Sequence, residues 1–262
     1  MKERIITAIC LLVVVLPLIY FGGYWFIGLI LVAASIAAWE MIAMHAKAVA
    51  TEEKKVLLEA KMITLLGTFL MVFMPDITSA LLLGVLSAMI LLICSICIKK
   101  QSDIRFHLFI IPYIGLSFRA LIEIRNHSLL LFFFLIATVI LTDSAAYFTG
   151  RLFGKHKLAP TISPKKTVEG AVGGWLIGCG FAIFFSLNQQ LFSQIWILII
   201  LAVSLPILSQ IGDLVASAFK RKYGIKDYGK LFPGHGGVMD RVDSQLLAAI
   251  LIYVIIQMGG VL

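Results

Sequence analysis

The chain has 262 residues, of which 61% are hydrophobic and 14% are charged, and its mean hydropathy is +1.02. A soluble domain of this length needs far more charge to cover its surface, so the composition excludes an ordinary soluble protein. The apolar runs are too long for alternating barrel strands and long enough to cross a bilayer as helices. We therefore predict an all-α integral membrane protein, built as a polytopic helical bundle.

Nine transmembrane helices are predicted along the chain. They lie at about residues 5–22, 24–44, 62–75, 77–98, 107–124, 128–149, 170–187, 191–219 and 244–262. The first is an uncleaved span, because no small-x-small cleavage site follows it. We divide the chain into N-terminal transmembrane helices, 1–125, with a candidate interfacial helix near 47–61, and a C-terminal region, 126–262, with cytoplasmic loops 150–169 and 220–243. The C-terminal region carries the candidate catalytic residues.

The positive charge is distributed unevenly between the predicted loops. The net charge is +8, and with the N-terminus inside, all but two of the 22 lysines and arginines fall on the inner side. The exceptions are Arg119 and Arg125. Inner loops of membrane proteins are enriched in these residues, so the bias predicts a cytoplasmic N-terminus and an external C-terminus.

The first polar loop follows the sixth predicted span. Asp143 shares a helix face with Tyr147 and Arg151, and is either a functional carboxylate or a structural partner of Arg151. Further on, Thr167 can cap the next helix, since Pro164 cannot continue one. Lysines beside a helix N-terminus favour anions, so Lys165, Lys166, Thr167 and Glu169 predict a phosphate clamp. The alternative is positive-inside anchoring combined with a helix cap.

The second polar loop begins inside the eighth predicted span. Ser209, Asp213, Ser217 and Lys220 form one stripe of a helix, and Arg221 lies beside it. A carboxylate in an apolar helix needs a partner or a cation. Lys220 is nearly two turns from Asp213, so the spacing favours a metal ion as the partner.

The end of this loop combines acids, bases and glycines. Lys226 and Asp227 precede His235, Gly236 and Gly237, and the glycines let backbone N–H groups approach an anion. His235 is predicted to bind phosphate or to act in acid–base chemistry, with a structural histidine as the alternative. Asp240, Arg241 and Asp243 then follow. Paired carboxylates at 240 and 243 suit Mg²⁺, although Asp243 could instead cap the last helix.

These residues resemble the signature of the phosphatidate cytidylyltransferases, or CDP-diacylglycerol synthases. The resemblance lies in Ser217-Ala-Phe-Lys-Arg, then Lys226-Asp-Tyr-Gly, then Phe232-Pro-Gly-His-Gly-Gly-Val-Met-Asp-Arg-Val-Asp243. Asp143 and the segment from Ser163 to Gly170 are also similar to that family. The resemblance covers about the last 120 residues of the chain, whereas the first 100 match in hydrophobic character alone.

The resemblance implies transfer of a cytidylyl group from CTP to phosphatidic acid, giving CDP-diacylglycerol and pyrophosphate. It implies Mg²⁺, with K⁺ as a further cation, Asp213 and Asp240 as metal ligands, and a homodimer in a bacterial inner membrane with the site facing the cytoplasm. CTP, phosphatidic acid and membrane lipids are the expected partners, and no nucleic acid is expected. The expected catalytic residues are Asp213, Lys220, Lys226, His235 and Asp240. The expected substrate-binding residues are Asp143, Lys165, Lys166, Thr167, Glu169, Ser217, Arg221, Asp227, Gly236, Gly237, Arg241 and Asp243.

Two other kinds of protein fit parts of the sequence. A related lipid enzyme, such as a polyprenol or phytol kinase or an ether-lipid cytidylyltransferase, would use the same polar groups on another substrate. A transporter would use charged loops to gate an ion or anion path. A transporter of this kind predicts paired halves with similar broken helices, and the sequence contains no internal repeat.

Overall fold

The computed structural model describes residues 2–48, 54–74, 104–234, 236–259 and 261. The chain is mostly helical over these ranges, which confirms the predicted all-α class. In chain order the helices are α1 Lys2–Phe21, α2 Gly23–Ala48, α3 Lys54–Phe73, α4 Ile104–His127, α5 Leu129–Phe153, α6 Val168–Gln189, α7 Ile195–Lys222 and α8 Met239–Gln257. Two short strands, β1 Lys157–Ala159 and β2 Ser163–Thr167, lie between α5 and α6.

Four of these helices are long and apolar enough to cross a membrane. They are α2 over Gly23–Ala46, α5, α6 and α7, and shorter apolar helices occupy Ile9–Phe21 and Lys61–Phe73. The protein is therefore an all-α membrane protein. The described helices overlap the predicted spans except that at 77–98, which lies outside the described residues. The count of nine and the orientation of the termini stay predictions.

The chain divides into two compact units. The first comprises Met1–Ile122 with Ile225–Arg241, and the second comprises Glu123–Gly224 with Val242–Leu262. The predicted division of the chain between residues 125 and 126 stays a prediction. The segment 225–241, predicted within the C-terminal region, is grouped with the N-terminal helices instead.

The core of the first unit is built mainly from apolar side chains. Helix α1 packs on α2, and α2 packs on α3. Met41 and Ile42 of α2 are almost completely buried, as are Ile110 and Ile114 of α4. The side chain of Met71 on α3 lies where a Cβ at Gly115 would stand, so a side chain at 115 would separate the helices.

The second unit is organised around close contact between α5 and α6. The buried residues of α6 recur every fourth position and are small, beginning Gly170, Gly174 and Gly178. A Cβ at Gly174 would lie 2.7 Å from both the Ala146 Cβ and the main-chain oxygen of Thr142 on α5. Stripes of small residues let the backbones of two membrane helices approach closely. Lipid tails are as apolar as the side chains, so close packing rather than hydrophobic burial holds such helices together.

The strands between α5 and α6 form an antiparallel hairpin that the sequence analysis did not predict. Lys157 pairs with Thr167 and Ala159 with Ser163. Ala159 and Ser163 each precede a proline, and residues before proline favour extended backbone. The polar loop is therefore held in a fixed turn, with β2 leading directly into α6.

Helix boundaries extend beyond the predicted apolar runs. The charged segment from 54 to 61 is continuous with the third apolar run in α3, and α7 continues to Lys222. Helix α8 begins at Met239, several residues before the predicted 244. Hydropathy marks the part of a helix that is apolar, so polar turns at its ends are missed. Whether the segment 47–61 lies at a membrane interface stays a prediction.

Candidate active site

Asp213 lies in the second unit, where its carboxylate has two side-chain partners. Lys166 Nζ of β2 lies 2.7 Å from its Oδ2, and Ser217 Oγ donates to its Oδ1 at 3.2 Å. The Ser217 contact confirms that the two residues share a stripe of α7. The lysine is the charged partner that the sequence analysis did not identify, since it comes from the other polar loop.

Asp143 of α5 joins the same group of residues. Its carboxyl is hydrogen-bonded to the side chain of Ser244 and experiences the charges of Asp213 and Lys166. The guanidinium of Arg151 donates instead to Tyr147 Oη at 3.4 Å. We call Asp143, Lys166, Asp213, Ser217 and Ser244 the acid–lysine cluster. This arrangement differs from the predicted structural pair of Asp143 with Arg151 and leaves the functional alternative standing.

Lys220 and Asp243 form a second contact between charged groups in this unit. Lys220 Nζ lies 3.8 Å from Asp243 Oδ2, and each side chain is 12% exposed. Asp243 lies in the second turn of α8, which begins at Met239, so the suggestion that it caps the helix is wrong. Gly212 of α7 permits the close approach, because a Cβ there would lie 2.6 Å from the main-chain oxygen of Asp243.

The entrance of α6 is built as predicted, around a threonine cap. Thr167 has extended backbone, and its Oγ1 accepts the N–H of Gly170 at 3.1 Å. Glu169 accepts the backbone N–H groups of Lys155 and His156 and contacts His156 Nδ1 at 2.6 Å. This carboxylate therefore holds the chain that leads into the hairpin against the first turn of α6. A substrate role for Glu169 and for the exposed Lys165 stays a prediction.

A contact from α7 also fixes the hairpin turn. Arg221 Nε donates to the main-chain oxygen of Ile162 at 3.1 Å. The basic end of α7 and the turn of the hairpin are therefore adjacent. Lys166, Asp213 and Arg221, predicted from two separate loops, lie on elements that contact one another in the second unit.

In the first unit, the segment 225–241 forms an open depression of about 380 Å³. Its charged lining residues are Lys226, Asp227, Lys230 and Arg241, and glycines and aromatic or proline residues make up the rest. We call this the basic depression. Three cations against one carboxylate favour an anionic ligand, and the volume suits a small molecule.

The glycines of this segment bring backbone N–H groups to carboxylates of the protein. Asp240 Oδ2 accepts from Gly237 N at 3.0 Å and from Tyr228 N at 2.8 Å. Gly236 has φ +83°, and a Cβ there would lie 2.7 Å from the same oxygen. These N–H groups are therefore directed at the protein's own Asp240, and the predicted nest for a substrate anion stays a prediction. Whether Gly236 and Gly237 also contact substrate stays a prediction, and His235 lies outside the described residues.

Glu40 is an isolated acid near the predicted inner face, for which the sequence leaves open a polar contact between helices or a functional role, and it was not placed in the predicted site. It comes from α2, is 6% exposed, and accepts the backbone N–H groups of Val238 and Met239. The signal was present in the sequence, because an acid within an apolar helix is costly unless it is paired or used. Its partners are backbone groups almost 200 positions away, and no side-chain pattern could identify them.

The carboxylates provide oxygen ligands but no complete protein cage for a metal. Across the described residues, no group of three or more histidine, cysteine, aspartate or glutamate side chains could hold a metal ion. Mg²⁺ is commonly bound by one or two carboxylates together with water and substrate phosphates. Asp213 is 28% exposed and Asp240 is partly exposed, so both carboxylates fit that use.

A family model and individual known proteins match this chain and point to the same family. Residues 2–259 match the model of the cytidylyltransferase family. A phosphatidate cytidylyltransferase of Staphylococcus saprophyticus is 37% identical over 252 residues, which cover 93% of this chain and 94% of the relative. The proteins of the same name from Bacillus subtilis and Staphylococcus aureus strain COL are 35% and 33% identical, covering 97% and 93% of this chain and 96% and 94% of theirs.

Proposed function

Because the chain belongs to the cytidylyltransferase family, we propose that it is a phosphatidate cytidylyltransferase that makes CDP-diacylglycerol and pyrophosphate from CTP and phosphatidic acid. The structural observation that carries the proposal is the basic depression, whose Lys226, Lys230 and Arg241 suit the triphosphate of a nucleotide. The apolar helices suit a substrate whose acyl chains remain in the bilayer. The product places the enzyme in phospholipid biosynthesis.

The chemistry requires positioning and neutralisation of charge. An oxygen of the lipid phosphate attacks the α-phosphorus of CTP, a new P–O bond forms, and the bond to the pyrophosphate oxygen breaks in line. The nucleophile is already an anion, so the protein needs little acid–base chemistry. Lysines and arginines lower the repulsion between the two phosphates and stabilise charge on the departing pyrophosphate.

We assign the basic residues to phosphates in two groups. Lys226, Lys230 and Arg241 bind the triphosphate of CTP in the basic depression. Lys166 and Lys220 bind phosphate from the second unit, where they are held by Asp213 and Asp243 before substrate arrives. An ion pair of this kind keeps a lysine extended and ready, since the carboxylate fixes its position.

We also propose that Asp213 and Asp240 supply ligands to Mg²⁺, with K⁺ as a further cation. The resemblance of the 217–243 signature and the oxygen chemistry of the two carboxylates support this assignment. When bound, the metal would neutralise charge on the α-phosphate and on the leaving pyrophosphate. We further propose that the protein is a homodimer in a bacterial inner membrane, with nine spans and a site that faces the cytoplasm.

The deciding experiment measures pyrophosphate release by the purified full-length protein in mixed micelles. We expect release that requires both CTP and phosphatidic acid, and CDP-diacylglycerol as the lipid product. Polyprenol, phytol and an archaeal-type ether-lipid phosphate serve as competing acceptors, and CDP is measured beside pyrophosphate, because a kinase acting on the two alcohols would release CDP. Turnover with one of these but not with phosphatidic acid would contradict the proposed substrate, and flux in vesicles without CTP consumption would indicate transport.

A further inference from the structure

Glu40 of α2 holds the start of α8, a helix far away in the sequence. Its Oε1 accepts Val238 N at 3.1 Å, and its Oε2 accepts Met239 N at 2.9 Å. The first N–H groups of a helix have no partner within the helix and carry partial positive charge. The carboxylate therefore satisfies two of these donors at once and favours the helix start at Met239.

Two glycines let this carboxylate reach the backbone. A Cβ placed at Gly229 or at Gly237 would overlap the Glu40 carboxylate. Neither glycine has the positive φ that would itself demand glycine. The physical reason for glycine at both positions is therefore the space occupied by Glu40, and the carboxylate touches two separate stretches of the segment 225–241.

The same segment is held by Asp240, whose Oδ2 accepts the N–H groups of Tyr228 and Gly237. Glu40 thus lies against Gly237, which donates to Asp240, and against Gly229, which follows the other donor, Tyr228. A second contact comes from α1, where Thr7 Oγ1 donates to the main-chain oxygen of Pro233 at 3.4 Å. The first two helices therefore fix the segment that forms the basic depression.

We propose that Glu40 is a positioning residue for nucleotide binding: it fixes Gly229 and residues 237–239 so that Lys226, Lys230 and Arg241 converge on the triphosphate. This inference rests on the proposed function. It gives the N-terminal helices a role in the reaction that hydrophobic character does not indicate. A carboxylate is required because both of its oxygens accept, whereas an amide presents a donor to one of the two N–H groups.

The first test is a split between the two substrates. Glu40→Gln and Glu40→Ala should raise the KM for CTP, by about tenfold or more for alanine and less for glutamine, because misplaced phosphate ligands lose binding and alignment. The KM for phosphatidic acid should stay within about twofold of wild type. Ser35→Ala is the matched control, since Ser35 Oγ on the same helix donates to Leu31 O at 2.8 Å. Loss of thermal stability with an unchanged KM for CTP would overturn the proposal.

The second test measures coupling between Glu40 and Gly229. Gly229→Ala in the wild-type background should lower kcat/KM for CTP, because the new Cβ displaces the carboxylate. In the Glu40→Ala background the carboxylate is absent, so Gly229→Ala should cause little further loss. Residues in direct contact show this non-additivity. Independent effects that simply multiply would contradict a contact between the two positions.

A third measurement separates this inference from the proposed function. Limited trypsin digestion in detergent reports how well residues 226–241 are held, since Lys226, Lys230 and Arg241 are exposed cleavage sites. Glu40→Ala should be cut there faster than wild type or Ser35→Ala. If wild type fails to release pyrophosphate from CTP, the function is wrong while faster cleavage still supports Glu40. Wild-type cleavage of Glu40→Ala would overturn the positioning role whatever the reaction.

Discussion

Asp213 and Asp240 are both proposed as ligands of Mg²⁺, and their carboxylates are held in different ways. Asp213 is held by side chains, Lys166 and Ser217. Asp240 is held by the backbone, through the N–H groups of Tyr228 and Gly237. Removing the charge of Asp240 would therefore also disturb a turn. Asp213 offers the cleaner test of charge, because its loss leaves the local backbone bonds intact.

Asp213→Asn should reduce kcat by about 10²-fold or more, the usual effect of deleting an electrostatic group that acts on the transition state. Stability should change little, since the pair with Lys166 is more than a quarter exposed and such pairs contribute about 1 kcal/mol or less. The measurements are initial rates of pyrophosphate release at saturating Mg²⁺ and thermal unfolding in the same detergent.

The control for this substitution is Glu123→Gln, which also removes one negative charge but lies in α4. It should leave kcat within about twofold of wild type. Wild-type turnover by Asp213→Asn at ordinary Mg²⁺ would exclude the carboxylate as a metal ligand. Equal losses in both variants would indicate a general effect of charge rather than a local one.

At single residues, the sequence predicts what is local and misses what is distant. The Thr167 cap follows from a proline, a hydroxyl and an apolar run within a few positions, and it is confirmed. The Asp213–Lys166 pair and the Glu40 contacts join residues that are far apart in the chain. Their partners depend on how helices and loops meet in space, and composition within either loop contains no information about that.

Among elements, α5 and α6 show how glycine sets the distance between membrane helices. Gly150 and Gly170 lie next to each other near the Thr167 cap, and Gly174 and Gly178 continue the contact along α6. Asp143 lies on α5 and Thr167 starts α6, so this packing fixes the residues near the acid–lysine cluster. The stripe was not recognised from sequence, because glycines are frequent in membrane helices for several reasons.

Gly174→Ala should destabilise the protein by about 1–3 kcal/mol, because its Cβ would lie 2.7 Å from atoms of α5 and rigid backbone cannot yield cheaply. The matched control is Gly180→Ala on the same helix, where a Cβ meets nothing within 4 Å. Thermal unfolding in detergent should therefore separate two chemically identical substitutions. Equal melting temperatures would contradict the close packing of α5 on α6.

The elements themselves were predictable to different degrees. Long apolar runs marked the helices, since a membrane helix must satisfy its backbone internally and present apolar side chains to lipid. The hairpin of β1 and β2 was not predicted, because its five-residue strand, Ser163–Thr167, is polar and has no alternating pattern. The segment 225–241 was recognised by its residues. Hydropathy does not register its grouping with the N-terminal helices or its contact with Glu40.

At the scale of the whole molecule, charge predicts orientation. All but two of the 22 lysines and arginines lie on the side assigned to the cytoplasm. CTP is a cytoplasmic nucleotide, so the residues proposed to bind its phosphates in each unit must face that side to work. The proposed function therefore requires the predicted orientation. An internal N-terminus and an external C-terminus in turn require an odd number of membrane crossings.

Cysteine labelling tests that count directly. In a background with Cys10, Cys94, Cys97 and Cys179 replaced, Lys157→Cys places a thiol on the exposed hairpin and Met258→Cys places one just beyond α8, where the native side chain is 67% exposed. A membrane-impermeant maleimide added to intact spheroplasts should label the cysteine at 258 and spare the one at 157, and permeabilised cells should label both. Protection of 258 until permeabilisation would give an even number of crossings and exclude nine. Labelling of 157 from outside would place the hairpin, and with it the Lys166–Asp213 pair, away from CTP, and the proposed reaction would then lack its nucleotide.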